Sequence, residues 1–176
     1  MLELRLSGTG GQGLILAGII LAEAAILDNK MAIQSQSYGP EARGGSSKSE
    51  VIIDTKPIHY PKIVTPNLVL AMSQESCNKY TTDLPETGIL VTDKLFVSKL
   101  PDKKFSKIYE LPITTTAKDV LGKALFSNII ALGAIVKITD CVSLKSLETA
   151  VLDRVPKGTE EMNQKALQLG MEMVKA

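Results

Sequence analysis

The sequence is poor in the residues that carry metal, redox and nucleophilic chemistry. Its 176 residues include two cysteines, one histidine and no tryptophan. Cys77 and Cys141 are far apart, and an iron–sulfur cluster needs about four thiolates, so the chain cannot hold one alone. With His59 as its one histidine, a zinc site or a histidine-based triad has almost nothing to draw on. We expect two reduced thiols, at least one of them buried, and no metal site.

Charge and long apolar runs are also lacking. The chain carries 20 Lys+Arg against 19 Asp+Glu, and aromatic residues make up 4%. With no basic excess and few rings for base stacking, nucleic acid is not an expected partner. The longest apolar stretch, residues 14–22, is about half of a membrane span, and residues 2–6 lack a signal-peptide pattern. We expect a cytoplasmic protein with no membrane partner.

The order of strand-like and helix-like patterns predicts the fold class. Strands and helices alternate in the first half, and helices dominate the second. Predicted strands cover 2–6, 31–35, 51–53, 67–72, 88–91 and 107–111; predicted helices cover 14–28, 115–123, 127–138, 143–152 and 159–174, with another start at 73–76. Residues 37–49 read as a polar, glycine-rich connection. We expect one α/β domain over residues 1–176, with an open, mostly parallel, Rossmann-like sheet and helices on both faces.

A glycine-rich loop follows the first predicted strand and opens the first helix. It is Gly8-Thr9-Gly10-Gly11-Gln12-Gly13 and fits the G-x-G-x-x-G pattern. Glycines let backbone N–H groups approach a ligand closely, and the helix N-terminus adds partial positive charge. The loop therefore predicts phosphate or pyrophosphate binding, with Gly8, Gly10, Gly11, Gln12 and Gly13 as candidate ligand residues. The alternative is a tight turn in which glycine serves packing alone.

Two common uses of such a loop are disfavoured. A nicotinamide enzyme normally has an acidic residue at the end of its second strand, whereas this strand ends Gln34-Ser35-Gln36. Asp28 has roughly the right spacing but falls in the turn before that strand. Leu14 follows Gly13 where an ATP-binding loop would supply lysine. These departures favour a phosphate ligand other than NAD or ATP.

A second distinctive segment follows the second predicted strand. It runs Ser37-Tyr38-Gly39-Pro40-Glu41-Ala42-Arg43-Gly44-Gly45 and should lie at the carboxyl edge of the sheet beside the glycine loop. The Arg43 guanidinium suits phosphate or carboxylate, and Gly44 and Gly45 permit close backbone approach. The alternative is a structural turn in which Arg43 pairs with Glu41.

The two segments together resemble the gamma subunit of 2-oxoacid:ferredoxin oxidoreductases. The resemblance is carried by residues 8–13, the helix 14–25 and residues 34–45, and continues through 49–52 and 128–133. Within the family, the Ser-Tyr-Gly-Pro-Glu-Ala-Arg-Gly-Gly form is most similar to the 2-oxoglutarate branch.

The resemblance implies a division of labour among subunits. Thiamine diphosphate sits between alpha and beta subunits, iron–sulfur clusters lie in beta or delta parts, and the gamma part is associated with coenzyme A. We expect the backbone N–H groups of residues 10–13 to meet a coenzyme A phosphate, with Arg43 as charge partner and Tyr38 as a wall or hydrogen-bond donor. The expected partners are the alpha and beta subunits, with or without delta, and ferredoxin through the complex. No catalytic residue and no separate activity are expected.

Two rival functions and one structural question remain open on the sequence. The loop also suits a stand-alone nucleotide-binding module or, less well, a small NAD-dependent oxidoreductase. Residues 14–27 and 129–136 are apolar almost all round, so each helix should be covered on more than one side. The cover is either the rest of this chain or a partner subunit.

Overall fold

A computed structural model describes residues 1–38 and 45–174 and contains one six-stranded sheet. The strands, numbered along the chain, are β1 (Leu2–Thr9), β2 (Met31–Tyr38), β3 (Ser46–Asp54), β4 (Leu68–Ala71), β5 (Ile89–Asp93) and β6 (Lys107–Leu111). Their order across the sheet is β2-β3-β1-β4-β5-β6. β1, β4, β5 and β6 run parallel, while β3 is antiparallel to both of its neighbours. Among the described strands, only β3 therefore runs antiparallel to the others. This confirms the predicted open, mostly parallel sheet.

The prediction of a polar connection over residues 37–49 was wrong at both ends. β2 and β3 form a long antiparallel ladder from Met31 opposite Asp54 to Tyr38 opposite Ser47. The polar strand residues are tolerated because their side chains have partners inside the protein. Gln34 Nε2 donates to Ser49 Oγ at 2.9 Å, for example. Pattern alone could not find the first half of β3, because the polar residues there are mostly buried.

Helices cover both faces of the sheet, as predicted. They are α1 (Leu14–Leu27), α2 (Gln74–Tyr80), α3 (Ile113–Leu121), α4 (Ser127–Thr139), α5 (Leu144–Arg154) and α6 (Glu160–Met173), with a 3₁₀ turn at Ala124–Phe126. The main core lies between the sheet and α1, α3, α4, α5 and α6. α2 packs on the other face, where Cys77 contacts Ala71 and Val97. α3 begins two residues before the predicted start.

The apolar surface of α4 is covered within the chain. Residues 127–136 of this helix are all buried. A Cβ added at Gly133 would lie 2.2 Å from the Leu167 carbonyl oxygen, and one at Gly170 would lie 1.9 Å from that of Ile130. The backbones of α4 and α6 thus cross in close contact, and the small residues of α4 serve this contact.

α1 is covered by the chain except at its C-terminal end. Its buried positions include Leu14, Ile20 and Leu21. Ile26 and Leu27, in the last turn, are 59% and 50% exposed, and Met31 at the start of β2 is 49% exposed. Among the described residues, no helix is both long and apolar enough to cross a bilayer.

Candidate functional site

The glycine loop lies where the chain direction across the sheet changes. From β1 the chain passes through α1 to β2 on one side, whereas β4, on the other side of β1, leads through α2 to β5. In open α/β sheets, ligands bind outside the carboxyl ends of the strands at such a switch point. The loop connects β1 to α1 at this edge, so its predicted position is confirmed.

Two glycines of the loop are required by the fold of this chain. A Cβ at Gly8 would lie 2.1 Å from Gln12 Oε1 and 2.7 Å from Leu14 Cδ1. Gly13 has φ 73°, and a Cβ there would lie 2.5 Å from Asn128 Nδ2. Packing within the chain, the alternative raised from the sequence, is therefore enough to explain glycine at these two positions.

The other two glycines face open space. Gly10 and Gly11 are exposed, and an added Cβ would meet no described atom within 4 Å at either position. Gly11 has φ 89°, which disfavours side chains on conformational grounds. Gly10 has no such φ. No contact in the described part of the chain accounts for glycine at position 10, and room for close backbone approach is a general reason for glycine at an exposed loop position.

Side-chain amides on each flank hold the loop in shape. Gln12 Oε1 accepts the Thr9 N–H at 2.8 Å, and Gln12 Nε2 donates to the Met72 carbonyl at 3.0 Å. Asn128, at the start of α4, donates from Nδ2 to the Gly13 carbonyl at 3.2 Å. Gln12 therefore ties the end of β1 to the end of β4, across the switch point. The Gln12 side chain serves the loop itself, and the Gln12 N–H donates to the Thr9 carbonyl at 3.4 Å, so this one of the N–H groups predicted to meet a phosphate already has a partner.

The start of α1 has features that are typical of an anion-binding site. The first helical bond of α1 runs from the Ala17 N–H to the Gly13 carbonyl. Within the described ranges, no acceptor is recorded for the N–H groups of Gly10, Gly11, Gly13 or the next three residues. α1 has no side-chain cap and no acidic residue in its first turn. Nothing in the cap or first turn of α1 therefore compensates the partial positive charge of the helix end, which is a condition for anion binding there.

A hollow lies on each side of the loop. The smaller, about 250 Å³, is on the β3 side and is lined by Thr9, Gly10, Gly11, Gly13, Leu14, Ile15 and Ser47. The larger, about 430 Å³, is on the α3 side and is lined by Thr9, Gly10, Gly11, Gln12, Phe96, Thr114, Lys118, Ala124, Leu125 and Ser127. We call the larger hollow the α3 cleft. Gly10 and Gly11 form a ridge shared by both.

The segment predicted to accompany the loop begins and ends beside it. Gly8 pairs with Ser47 and Thr9 with Ser46 in the β1–β3 ladder, and Ser47 also pairs with Tyr38. Gly45 is buried next to this ladder. Arg43 and Gly44 lie outside the described residues, as does the side chain of Tyr38, so their predicted roles stay predictions.

A charged network on the α2 side was not anticipated from the sequence. Arg5, 4% exposed, donates from Nε to Glu50 at 2.7 Å and from Nη1 to Asp83 at 2.5 Å. Lys48 Nζ also contacts Glu50, at 2.8 Å. Burial alone would lower the pKa of Arg5, but its bonds to Asp83 and Glu50 raise it overall. The sequence does contain one sign of this network, because Arg5 lies between Leu4 and Leu6 in the first strand. A buried strand rarely carries an arginine unless acidic residues pair with it.

Nucleophilic and metal chemistry find no support in the described residues. Both cysteines are buried, and burial raises the pKa of Cys77 to about 11, which leaves little thiolate. No group of three or more potential metal ligands occurs in residues 1–38 and 45–174.

Asp28 lies at the C-terminal end of α1 and accepts bonds from Ser143 and Ser146 at the start of α5. It is therefore committed to structure at the edge opposite the loop.

The fold and the loop define an α/β protein with a Rossmann-like glycine loop at the ligand-binding edge of its sheet. The family model for pyruvate ferredoxin/flavodoxin oxidoreductase matches residues 3–173, and the chain belongs to this family. It is 48% identical over 98% of its length to 2-oxoglutarate synthase subunit KorC of Methanocaldococcus jannaschii, covering 94% of that protein. The KorC subunit of Methanothermobacter thermautotrophicus is 42% identical, with 98% of this chain and 94% of that protein covered.

Solved structures agree with this assignment. The gamma subunit of a keto/oxoacid ferredoxin oxidoreductase from Geobacter sulfurreducens has a TM-score of 0.87 and 50% identity, with 98% of both chains covered. The 2-oxoglutarate:ferredoxin oxidoreductase of Magnetococcus marinus shares the fold, with a TM-score of 0.87 at 20% identity over 99% of this chain and 31% of that chain. The family resemblance is confirmed, and the chain is a gamma-type subunit of a 2-oxoacid:ferredoxin oxidoreductase.

Proposed function

We propose that this subunit serves a 2-oxoglutarate:ferredoxin oxidoreductase and binds coenzyme A through its glycine loop. The observation that carries the proposal is the exposed ridge at Gly10 and Gly11. Its N–H groups have no recorded acceptor among the described residues, and no contact there explains the glycine at position 10. An approaching phosphate accounts for both features.

The choice of 2-oxoglutarate rests on the relatives. The KorC subunits of Methanocaldococcus jannaschii and Methanothermobacter thermautotrophicus both carry the name 2-oxoglutarate synthase. The assembled enzyme would convert 2-oxoglutarate and coenzyme A to succinyl-CoA and carbon dioxide, and the released electrons would pass to ferredoxin. The iron–sulfur clusters would belong to the alpha, beta or delta partners, because two separated cysteines cannot supply a cluster. By the family resemblance, thiamine diphosphate would be held by partner subunits as well.

Coenzyme A is the ligand favoured for the loop. The Magnetococcus marinus enzyme, which contains this fold, was solved with 2-oxoglutarate, coenzyme A and succinyl-CoA bound. Coenzyme A carries phosphate groups that suit free N–H donors at a helix start. Arg43 would add a positive charge from the neighbouring segment, and the N–H groups of Gly10, Gly11 and Gly13, which have no recorded acceptor among the described residues, would bind the phosphate directly.

The subunit also contributes an assembly surface. Ile26, Leu27 and Met31 are large, apolar and about half exposed within six residues of chain. Such a cluster is unfavourable in water and is typical of a contact with another protein. In the Magnetococcus marinus enzyme the matching region is 31% of a longer chain. We assign the cluster to contact with a partner subunit.

Calorimetry on the assembled complex tests the binding proposal. Arg43→Ala and Gly10→Ala should each weaken coenzyme A binding about tenfold or more, the effect of losing one charge-assisted hydrogen bond. Gly11→Asp should weaken it further, both by charge repulsion and by the strain of a side chain at a φ of 89°. Lys137→Ala is the control for removing a positive charge, because Lys137 is exposed near the far end of α4. Unchanged affinity in both the Arg43 and Gly11 variants would remove the site assignment.

Co-purification separates the subunit from its rivals. Stable association with thiamine- and cluster-bearing chains supports a role inside the oxidoreductase. A free monomer that binds NAD in titrations would favour a small oxidoreductase, and one that binds other nucleotides would favour a stand-alone module.

A further inference from the structure

The α3 cleft is larger than a phosphate requires. Its volume of about 430 Å³ falls in the range of sites for small organic ligands, roughly 300–1,000 Å³, whereas the hollow on the β3 side is about 250 Å³. Gly10 and Gly11 line both, so a ligand whose phosphate rests on the ridge can extend into the cleft. The cleft also lies at the switch point between β1 and β4, where ligands of open α/β sheets bind.

The lining of the cleft combines an apolar platform with a cation. Phe96 is 44% exposed and Leu125 is 70% exposed, although both are apolar and both line the cleft. Lys118, on α3, lines it as well and is exposed. An aromatic ring beside an aliphatic side chain binds the flat face of a heterocycle, and an ammonium binds a phosphate. This combination fits a nucleotide better than an aliphatic chain.

A buried hydroxyl that lacks a partner in the described part of the chain lies in the wall of the cleft. Thr114 lines the cleft and is 2% exposed, yet its Oγ1 has no hydrogen-bond partner among the described residues. Buried polar atoms without a partner are unfavourable and uncommon in folded proteins. The hydroxyl is not exposed to the cleft as it lies, and the Thr114 side chain would have to rotate before a sugar hydroxyl in the cleft could pair with it.

We propose that the α3 cleft binds the adenosine 3′-phosphate end of coenzyme A. The adenine lies against Phe96 and Leu125, Lys118 contacts the 3′-phosphate, and the diphosphate rests on the glycine ridge. This inference rests on the proposed coenzyme A function and adds the subsite that recognises the nucleotide.

Binding of ligand fragments to the assembled complex tests the subsite. Coenzyme A, dephospho-coenzyme A and 4′-phosphopantetheine are titrated by calorimetry into the parent, Phe96→Ala, Lys118→Ala and Gly10→Ala complexes. Phe96→Ala should weaken coenzyme A about tenfold and leave 4′-phosphopantetheine, which lacks adenosine, unchanged. Lys118→Ala should weaken coenzyme A about fivefold and leave dephospho-coenzyme A unchanged. Val120→Ala, an exposed apolar change on α3 outside the cleft lining, is the control.

The outcomes distinguish the subsite from the function on which it rests. Loss of coenzyme A affinity in Gly10→Ala with none in Phe96→Ala or Lys118→Ala would overturn the subsite and leave the loop assignment standing. Loss in none of the three would overturn both. Weaker 4′-phosphopantetheine binding in Phe96→Ala would place the pantetheine arm in the cleft instead. Loss of partner subunits from the Phe96→Ala complex on gel filtration would identify the cleft as a subunit contact and contradict the proposal.

Discussion

Asn128 holds Gly13 in place by a hydrogen bond and leaves no room for a side chain at position 13. Its Nδ2 donates to the Gly13 carbonyl at 3.2 Å and occupies the space that a Cβ at position 13 would need, at 2.5 Å. The second residue of the buried helix α4 thus helps to determine the shape of a loop 115 positions earlier. Gly13, like Gly8, is therefore a glycine that the packing of the loop requires, whereas Gly10 and Gly11 face open space.

The first prediction follows from this difference between the glycines. Gly13→Ala should destabilise the chain by about 2–4 kcal/mol, because alanine disfavours the left-handed backbone by about 1–2 kcal/mol and its Cβ would also displace Asn128. Gly10→Ala is the matched control and should change stability by less than about 0.5 kcal/mol, since the space is open. Urea unfolding followed by circular dichroism measures both variants. Equal midpoints for the two would contradict the division of the glycines.

The second prediction concerns Gln12 as a positioning residue. Gln12→Ala removes the bonds to Thr9 and Met72 and should cost about 1–2 kcal/mol of stability. Gln12→Glu keeps an acceptor for the Thr9 N–H but places a negative charge beside the proposed phosphate. It should therefore lower coenzyme A affinity more than Gln12→Ala does, with a loss that shrinks as salt is added.

Unfolding and calorimetric titrations at low and high salt check these expectations. Equal affinity losses for the two variants at every salt concentration would show that no anion binds near Gln12. Such a result would leave Gln12 with a purely structural role.

The sequence predicted the loop, its place in the sheet and the family, because these depend on local pattern. Glycine spacing after an alternating strand and before an apolar helix is visible within fifteen residues. The roles of individual glycines were not predictable. They depend on Asn128 and on whether a neighbour occupies the space above each Cα, and such contacts arise only when distant segments meet.

β3 shows the same limit for the fold. Only Val51, Ile52 and Ile53 matched a buried strand, whereas the observed strand begins at Ser46. Its polar half is stable in the sheet because Arg5 and Gln34, which are distant in sequence, supply its hydrogen-bond partners. Buried polar residues with tertiary partners look like a loop to any method that uses local hydropathy.

The third prediction tests the crossing of α4 and α6. Gly170→Ala should destabilise the chain by about 1–3 kcal/mol or more, because the new methyl would lie 1.9 Å from the Ile130 carbonyl oxygen. In an open helix interior the same change would be favourable by about 1 kcal/mol. Thermal unfolding gives the sign directly. A rise in midpoint would show that the two helices separate easily, contrary to their packing.

The fourth prediction concerns the pH dependence of the Arg5 network. Burial alone would raise the pKa of Asp83, but the hydrogen bond and charge of Arg5 outweigh it and lower this pKa below its usual value of 3.8. A carboxyl whose pKa is lower in the folded state stabilises the fold above the unfolded pKa and loses this effect as the pH falls through the folded value. Asp83→Asn should therefore reduce stability by a constant amount between about pH 5 and 7, and the difference from the parent should shrink below about pH 4.

Arg5→Lys provides the partner variant for this measurement. Lysine keeps the positive charge but lacks the planar fork that lets Arg5 hold Glu50 and Asp83 together. In that background, Asp83→Asn should have a smaller effect at pH 7 and a weaker dependence on pH. Urea unfolding of the parent, both single variants and the double variant from pH 3 to 7 gives the coupling between the two positions. An Asp83→Asn effect that is the same in both backgrounds at every pH would show that Arg5 does not set the pKa of Asp83.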